Sequence, residues 1–480
     1  MQIVTVPTSG VLADKTSAVT VAGWTAVLVL PPAVYFLALA SRLSAQSSIF
    51  AALLSATVLM WMFALVDEFV PPLVAIVAAL IIGLAPPAVA LAGFSSPSML
   101  LLLGVFALSA VIGFSGLSYR LILRLLLRLP DKPFWHQATL LISGYLLSPL
   151  MPSANARLSL LTPVYKDMVA GLQLPRRGPG ATALLAAMFG GAVLFGPMMV
   201  TSKSSNIAAI AFLPTQLQAE FGGFFWLVAA AVAAGTITAA HFIIVRFLFP
   251  TDVNAKLSKG DVRQRLADMG APAPSEWVAA GSFAFFLLGI ATVPWHHVKP
   301  PYLAGCVLLA LLVTGTLGKR DFQRKVDWPM IFFLLGIDSL MRIMDHLGLA
   351  QALARVMRLW FEFIDGEIAL LLLATLIVTA TVRLVLPVSA GMLTSVAILL
   401  PIATAQGINP WVIVFGAAVF SDMSFLPHQG TNGILQMRSA GLLDDVDQRS
   451  FQGYNLLMNV ARVAAVYASI PWWTYLGLLR

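Results

Sequence analysis

The chain has 480 residues, 59% of them hydrophobic and only 10% charged, against the quarter or so of charged residues usual in soluble proteins. That balance excludes a soluble globular enzyme or binding domain and defines a polytopic membrane protein. The net charge of +8 is no nucleic-acid signal, because the basic residues fall mostly in short loops between apolar runs, where they report membrane orientation.

The first twenty residues lack a basic stretch leading into a short apolar core with a small-residue cleavage site, so no removable signal peptide is expected. Apolar segments follow at about 21–41, 48–66, 70–93 and 98–116. Residues 117–133 form a basic amphipathic stretch in which Arg120, Arg124 and Arg128 recur every four residues, a pattern for a helix lying in the membrane interface.

The next stretch is the most informative. Between two apolar arms at about 134–171 lies a polar tip, Ser153, Ala154 and Asn155, preceded by Pro152 and followed by Pro163. Each arm is shorter than the roughly 20 residues that cross a bilayer, so the pair predicts a re-entrant hairpin whose tip is satisfied by protein or a water-filled cavity. A broken span (180–216), a span (223–249), a charged loop (251–275) and three spans (276–294, 300–318, 328–347) come next. An amphipathic stretch (349–363) leads to a second Pro-interrupted pair of arms (366–405), a second broken span (410–436) and a last span (455–478).

The expected fold is therefore an all-α polytopic membrane protein with about eleven transmembrane helices plus two re-entrant hairpins. A cytoplasmic N-terminus puts most Lys and Arg on the inner side and leaves only Arg42, Lys299, Arg355, Arg358 and Arg480 outside. The distribution predicts a multi-pass protein of the inner (plasma) membrane with its C-terminus outside. The two halves also repeat each other. Residues 102–117 lie over 334–349 without a gap, matching Leu102, Leu103 and Gly104 to Leu334, Leu335 and Gly336, and Gly116 to Gly348. Five expected crossings separate the copies, so they run in opposite directions. Inverted repeats with paired interrupted helices are the architecture of alternating-access transporters, whose substrate sits near the midplane at the repeat interface.

In these features the chain resembles the divalent-anion/sodium symporter family of dicarboxylate, citrate and sulfate carriers, within the ion-transporter superfamily. That family carries a Ser-Asn-Thr tip ten residues ahead of a Pro in each hairpin, and a Thr-Pro-Pro-Asn-like break in the span that follows. Here Ser153 stands ten residues before Pro163, with Asn155 shifted by one. Ten residues before Pro401 lies Gly391, followed by Met392 and Leu393, with Ser389 and Thr394 as the nearest hydroxyls. The breaks read Ser202, Lys203, Ser204, Ser205, Asn206 and His428, Gln429, Gly430, Thr431, Asn432. The resemblance implies a small anionic substrate held by Ser153, Asn155, Lys203, Ser204, Ser205, Asn206, Ser389, Thr394, His428, Gln429, Thr431 and Asn432. It also implies sodium sites near Ser153, Asn155 and Ser202, and a homodimer. In such a dimer a scaffold of 21–116 and 276–347 holds a mobile domain, 134–249 and 366–480, that moves as an elevator; 1–20 is an inner segment, 117–133 and 348–365 are interfacial helices, and 250–275 is a cytoplasmic loop.

Lys203 departs from the family pattern. A charge at that depth costs several kcal/mol unless paired or wet, and an ammonium there would pair with the anion or replace a coupling cation; snorkelling to the outer surface is the alternative. His428 at the second break would couple protons or satisfy freed backbone. Arg157, Asp338, Arg342, Asp345, Arg383, Asp422 and Arg462 are the other ionisable residues placed near membrane depth, with Asp338 and Arg342 four apart on one helix face as a structural pair. No phosphate loop, His-Glu-x-x-His or Gly-x-Ser-x-Gly occurs, so no enzyme and no cofactor beyond coupling sodium or protons is expected. The reading is a secondary anion transporter, sodium-independent and driven by exchange or protons because of Lys203. Its rivals are a sodium-coupled symporter, an anion channel, and a membrane-embedded hydrolase using His428 and Asp422.

Overall fold

A computed structural model describes residues 18–480 apart from 64, 251–256, 350–351, 353–366, 387, 424–431, 445 and 480. Its regular elements among the described residues are all helical. Six of them are long and apolar enough to cross a membrane: Thr20–Ala40, Ala45–Met62, Ser98–Ser115, Pro179–Met198, Ala231–Leu248 and Pro274–Ala291. Shorter apolar helices complete the bundle, among them Val70–Ile82, Pro300–Val313 and Trp411–Phe420.

The stretch at 70–93 is not the single crossing its hydropathy suggests. Gly83 takes the left-handed conformation (φ 76°) and closes the helix Val70–Ile82 after 13 residues. That is about 20 Å of helix, short of a hydrocarbon core of ~30 Å. The one-turn pieces Pro87–Ala90 and Ala92–Ser95 follow.

The aligned halves behave alike in three dimensions. Helices Ser98–Ser115 and Trp328–His346 both end near a left-handed glycine, Gly116 (φ 87°) and Gly348 (φ 65°). About two turns into each, a glycine admits a crossing helix: a Cβ at Gly104 would stand 2.2 Å from the Ala304 carbonyl oxygen, and one at Gly336 would stand 2.9 Å from Pro72 Cβ. The same spacing separates Pro72 from Ala304 as separates Gly104 from Gly336, so the glycine of each half receives the short helix of the other half.

The amphipathic helix Leu117–Arg128 does not turn all its arginines outward. Arg120 is buried and donates from Nε to Glu276 Oε2 (2.6 Å) and from Nη2 to Oε1 (3.0 Å), while Nη1 donates to the Gly270 carbonyl at 2.9 Å. The pairing, a bidentate guanidinium fork on a carboxylate, ties this helix to the start of Pro274–Ala291. The Glu276 charge beside it holds Arg120 even more firmly protonated than an ordinary arginine. Arg342 Nε donates to Asp338 Oδ1 at 3.1 Å, the pair expected from their spacing. The second amphipathic stretch lies almost wholly outside the described residues.

Two helix pairs and two interrupted helices build the rest. Pro133–Leu147 turns back through 148–153 into Ala154–Gly171, and Ile368–Val385 ends at Leu386 ahead of Val388–Ala405. Ser153 caps the second arm of the first pair, its Oγ accepting from the Ala156 N–H at 3.3 Å. The second turn corrects the motif alignment. Gly391, Met392 and Leu393 lie inside the helix Val388–Ala405, and its turn is made earlier, where Leu386 is extended (φ −100°, ψ 151°) and Pro387 follows. A proline next in the sequence favours the extended conformation seen at Leu386, so this turn needs no polar tip.

Candidate functional site

The first interrupted helix runs as Pro179–Val193, unwinds through the short 3-10 turns Gly196–Met198 and Val200–Ser202, and resumes as Ser204–Ala209. Pro197 in the break cannot donate a backbone hydrogen bond, and Gly196 beside it carries no Cβ to obstruct the irregular backbone. Unwinding frees polar backbone groups that must find partners in an apolar interior. Asn206 supplies two, its Nδ2 donating to the Gly196 (2.9 Å) and Met199 (3.0 Å) carbonyls. The Trp226 indole N–H donates to the Pro197 carbonyl at 3.0 Å, and the Ser204 N–H donates to Pro152 at the first tip at 3.1 Å. Behind this lies an aromatic wall in which Trp411 stacks on Phe221 and Phe415, with centroids 4.8 and 4.9 Å apart.

Arginines close both breaks. Arg157, in the first turn of Ala154–Gly171, is 1% exposed and donates through Nε to the Ala192 carbonyl (2.8 Å) and through Nη1 to Ser202 (2.8 Å) and Met151. Arg383, in the last turn of Ile368–Val385, donates through Nε to Ser421 (2.9 Å) and through Nη1 to Leu386 (2.7 Å). Ser421 follows the half-helix Trp411–Phe420, and Ala192 lies in the last turn of Pro179–Val193. Each guanidinium therefore sits at the carbonyl-rich end of an interrupted helix, where the macrodipole favours positive charge.

Lys203 and Asp422 join the two breaks. Lys203 Nζ lies 2.7 Å from Asp422 Oδ1 and 3.0 Å from Ser421 Oγ, and the two charged side chains are only 13% and 10% exposed. The ammonium thus points across the repeat interface, not along a snorkelling path to the surface. Gly196 faces this pair: a Cβ there would sit 3.8 Å from Arg157 Nη2, 3.9 Å from Lys203 Cδ and 4.0 Å from Asp422 Oδ2. Two cations, Arg157 and Lys203, thereby meet the Asp422 carboxylate round Gly196.

Of the residues singled out by sequence, Ser153, Asn155, Ser202, Lys203, Ser204, Ser205 and Asn206 come together at this junction. The oxygens of Asn155, Ser202, Ser205 and Asn206 (Oδ1) are buried without a hydrogen-bond partner among the described residues, which leaves acceptor and hydroxyl capacity in the interior. Ser389 is buried in the first turn of Val388–Ala405, and Thr394, one turn further along, is half-buried. Asn432 opens the helix Asn432–Ser439, while His428, Gln429 and Thr431 lie outside the described residues. Sequence reasoning placed Arg157 and Arg383 only as ionisable groups at depth, gave Asp422 a role only in the rival hydrolase reading, and missed Gly196 altogether. The signal available was one unpaired basic residue in the first break and one acidic residue in the second.

His241 was also missed. It is buried, with Nδ1 2.8 Å from the Tyr454 hydroxyl, and it ties Ala231–Leu248 to Gln448–Ala468 behind the breaks.

Comparison with known proteins places this arrangement. The chain is 23% identical over 253 residues to a "Membrane protein" of Cupriavidus necator and 22% identical over 284 residues to the "Inner membrane protein YbhI" of Escherichia coli K12. The matched stretches take in 52% and 58% of this chain and 49% and 59% of those proteins, so the chain spans about half the length of the curated relatives it matches. Its fold is similar to that of the Alcanivorax borkumensis YdaH transporter, described as having an unusual topology, with a TM-score of 0.53 and 14% identity over 82% of this chain and 89% of that one. The family model of the CitMHS citrate transporters matches residues 58–420. Three quarters of the chain thus carries that family's pattern, through both helix pairs and into the second interrupted helix, and the chain is a multi-pass membrane protein that belongs to the citrate transporter family.

Proposed function

We propose that the chain is a sodium-independent secondary carrier of small multivalent anions, di- or tricarboxylates or sulfate, bound between the two breaks beside Gly196. The observation that carries this reading is the positive charge gathered round Gly196: Arg157 and Lys203 both approach that position, with the Asp422 carboxylate between the breaks as their shared counter-charge. Uncompensated charge is costly in an apolar interior, so a cargo bearing two or three negative charges is the natural complement. Neutral and cationic solutes would leave that cost in place. The oxygens of Ser202, Ser205 and Asn155, without a partner among the described residues, supply hydroxyl and amide groups to orient it.

In this reading the anion meets the Lys203 ammonium, displaces Asp422 from it, and is carried with both helix-pair tips by an elevator movement of 134–249 and 366–480 within an inner-membrane homodimer. Exchange against a second anion or co-movement of a proton drives the cycle. Purified protein in proteoliposomes, offered labelled citrate, succinate and sulfate, tests the proposal. Saturable uptake accelerated by the same anion trapped inside supports a carrier. Uptake that neither saturates nor responds to internal anion would refute it in favour of a channel.

A further inference from the structure

We infer that Arg157 and Arg383 are resident cations, each filling a carbonyl cradle of the kind that binds a dissociable coupling ion in transporters with interrupted helices. Unwound backbone carbonyls and half-helix C-terminal ends are the groups with which such proteins coordinate sodium or protons. Both ends are present here, and a guanidinium already occupies each. The first cradle consists of the Met151 carbonyl at the first tip, the Ala192 carbonyl in the last turn of Pro179–Val193, and the Ser202 carbonyl in the break; all three accept from Arg157. The second consists of the Leu386 carbonyl at the second tip and the Ser421 carbonyl after Trp411–Phe420; both accept from Arg383.

The two arginines are not repeat-equivalent. Arg157 reaches its cradle from the second arm of its helix pair and Arg383 from the first arm of the other, yet each bridges the same two features, a tip and a break of one half. The common endpoint from different starting positions is what a requirement for positive charge at that place would produce. A guanidinium also matches the geometry, since its fixed fork of N–H donors serves several carbonyls at once.

The consequence is functional. A tethered cation gives the tip the ordering and the anion the positive field that a bound sodium ion would give, but it cannot dissociate, so it carries no ion gradient into the cycle. Lys203, whose ammonium reaches a carboxylate and a serine hydroxyl, stands at the cargo position instead. The inference rests on the proposed location of the cargo only for that last assignment.

The test reads cation binding directly, so its failure is distinct from failure of anion transport. Melting midpoints of purified protein are followed while sodium or ethylguanidinium replaces choline at constant ionic strength. The unmodified protein should show no shift with either cation. Arg157→Ala and Arg383→Ala should melt lower and recover by several degrees in millimolar ethylguanidinium or sodium, whereas Lys203→Ala should show no such recovery. Arg157→Lys keeps the charge and should respond to sodium far less than Arg157→Ala. If the alanine variants cannot be purified, the unmodified protein and the lysine variant decide the matter. A saturable sodium shift in the unmodified protein, or alanine variants that fold and respond to neither cation, would overturn the inference.

Discussion

Asp422→Asn removes the carboxylate that holds Lys203 while keeping nearly the same shape, and it separates a competitor of the cargo from a partner of it. At 2.7 Å and an effective dielectric near 20, the attraction between the two charges is about 6 kcal/mol before desolvation. Burial returns most of that as lost hydration, leaving on the order of 1–3 kcal/mol that an incoming anion must match to take the ammonium. Releasing Lys203 should therefore tighten anion binding roughly tenfold to a hundredfold and slow release from the carrier, so that the apparent KM and the maximal rate both fall. Lys203→Ala should do the opposite, weakening binding by a similar factor, and the double variant should bind as weakly as Lys203→Ala alone. Equilibrium binding of labelled citrate or sulfate to purified protein, paired with proteoliposome uptake, measures both effects. Should Asp422→Asn weaken binding as much as Lys203→Ala, the carboxylate is part of the cargo site and the competition argument is wrong.

Other expectations follow from single contacts. Gly196→Ala has ordinary van der Waals room and should fold and transport, whereas Gly196→Leu would project into the space between Arg157, Lys203 and Asp422 and should abolish uptake at an unchanged melting midpoint. Gly104→Val places side-chain atoms on the Ala304 backbone, so it should cost several kcal/mol through forced separation of two helices, read as loss of folded protein on size-exclusion chromatography. Glu276→Gln leaves the buried Arg120 without its carboxylate and should lower stability by about 3–5 kcal/mol, with the KM of the remaining folded protein unaltered. Cysteines at Ser153 and Ser389 in a Cys306→Ala background should label from opposite sides of the membrane and be protected by anion; labelling of either from both sides would contradict the re-entrant arrangement.

Much of the architecture was readable because a membrane imposes length and polarity on helices so strictly. The apolar runs gave the elements, and the match of Gly104 to Gly336 and of Gly116 to Gly348 gave a repeat that later appeared as two equivalent close crossings and two left-handed helix ends. The first tip and break were legible for the same reason, since Ser153 with Asn155, and residues 201–206, are polar clusters within apolar runs. The second tip was not, because its turn comes at the extended Leu386 and hydropathy does not distinguish that residue from the helix beside it. Charge partners were the least legible part. Lys203 and Asp422 are far apart in the chain, and Arg157 and Arg383 bond to carbonyl groups that every residue carries, so no side-chain pattern announces them. Helix Val70–Ile82 was overextended because hydropathy counts apolar residues and cannot see that Gly83 has turned left-handed.

The central claim is that positive charge fixed in the protein, not a bound sodium ion, holds the anion. Initial rates of labelled anion uptake into proteoliposomes, measured with sodium or with choline outside and with the same unlabelled anion inside, address it most directly. The rates should be equal in the two cations and should rise with internal anion. Uptake that vanishes in choline and climbs steeply with sodium would contradict the account.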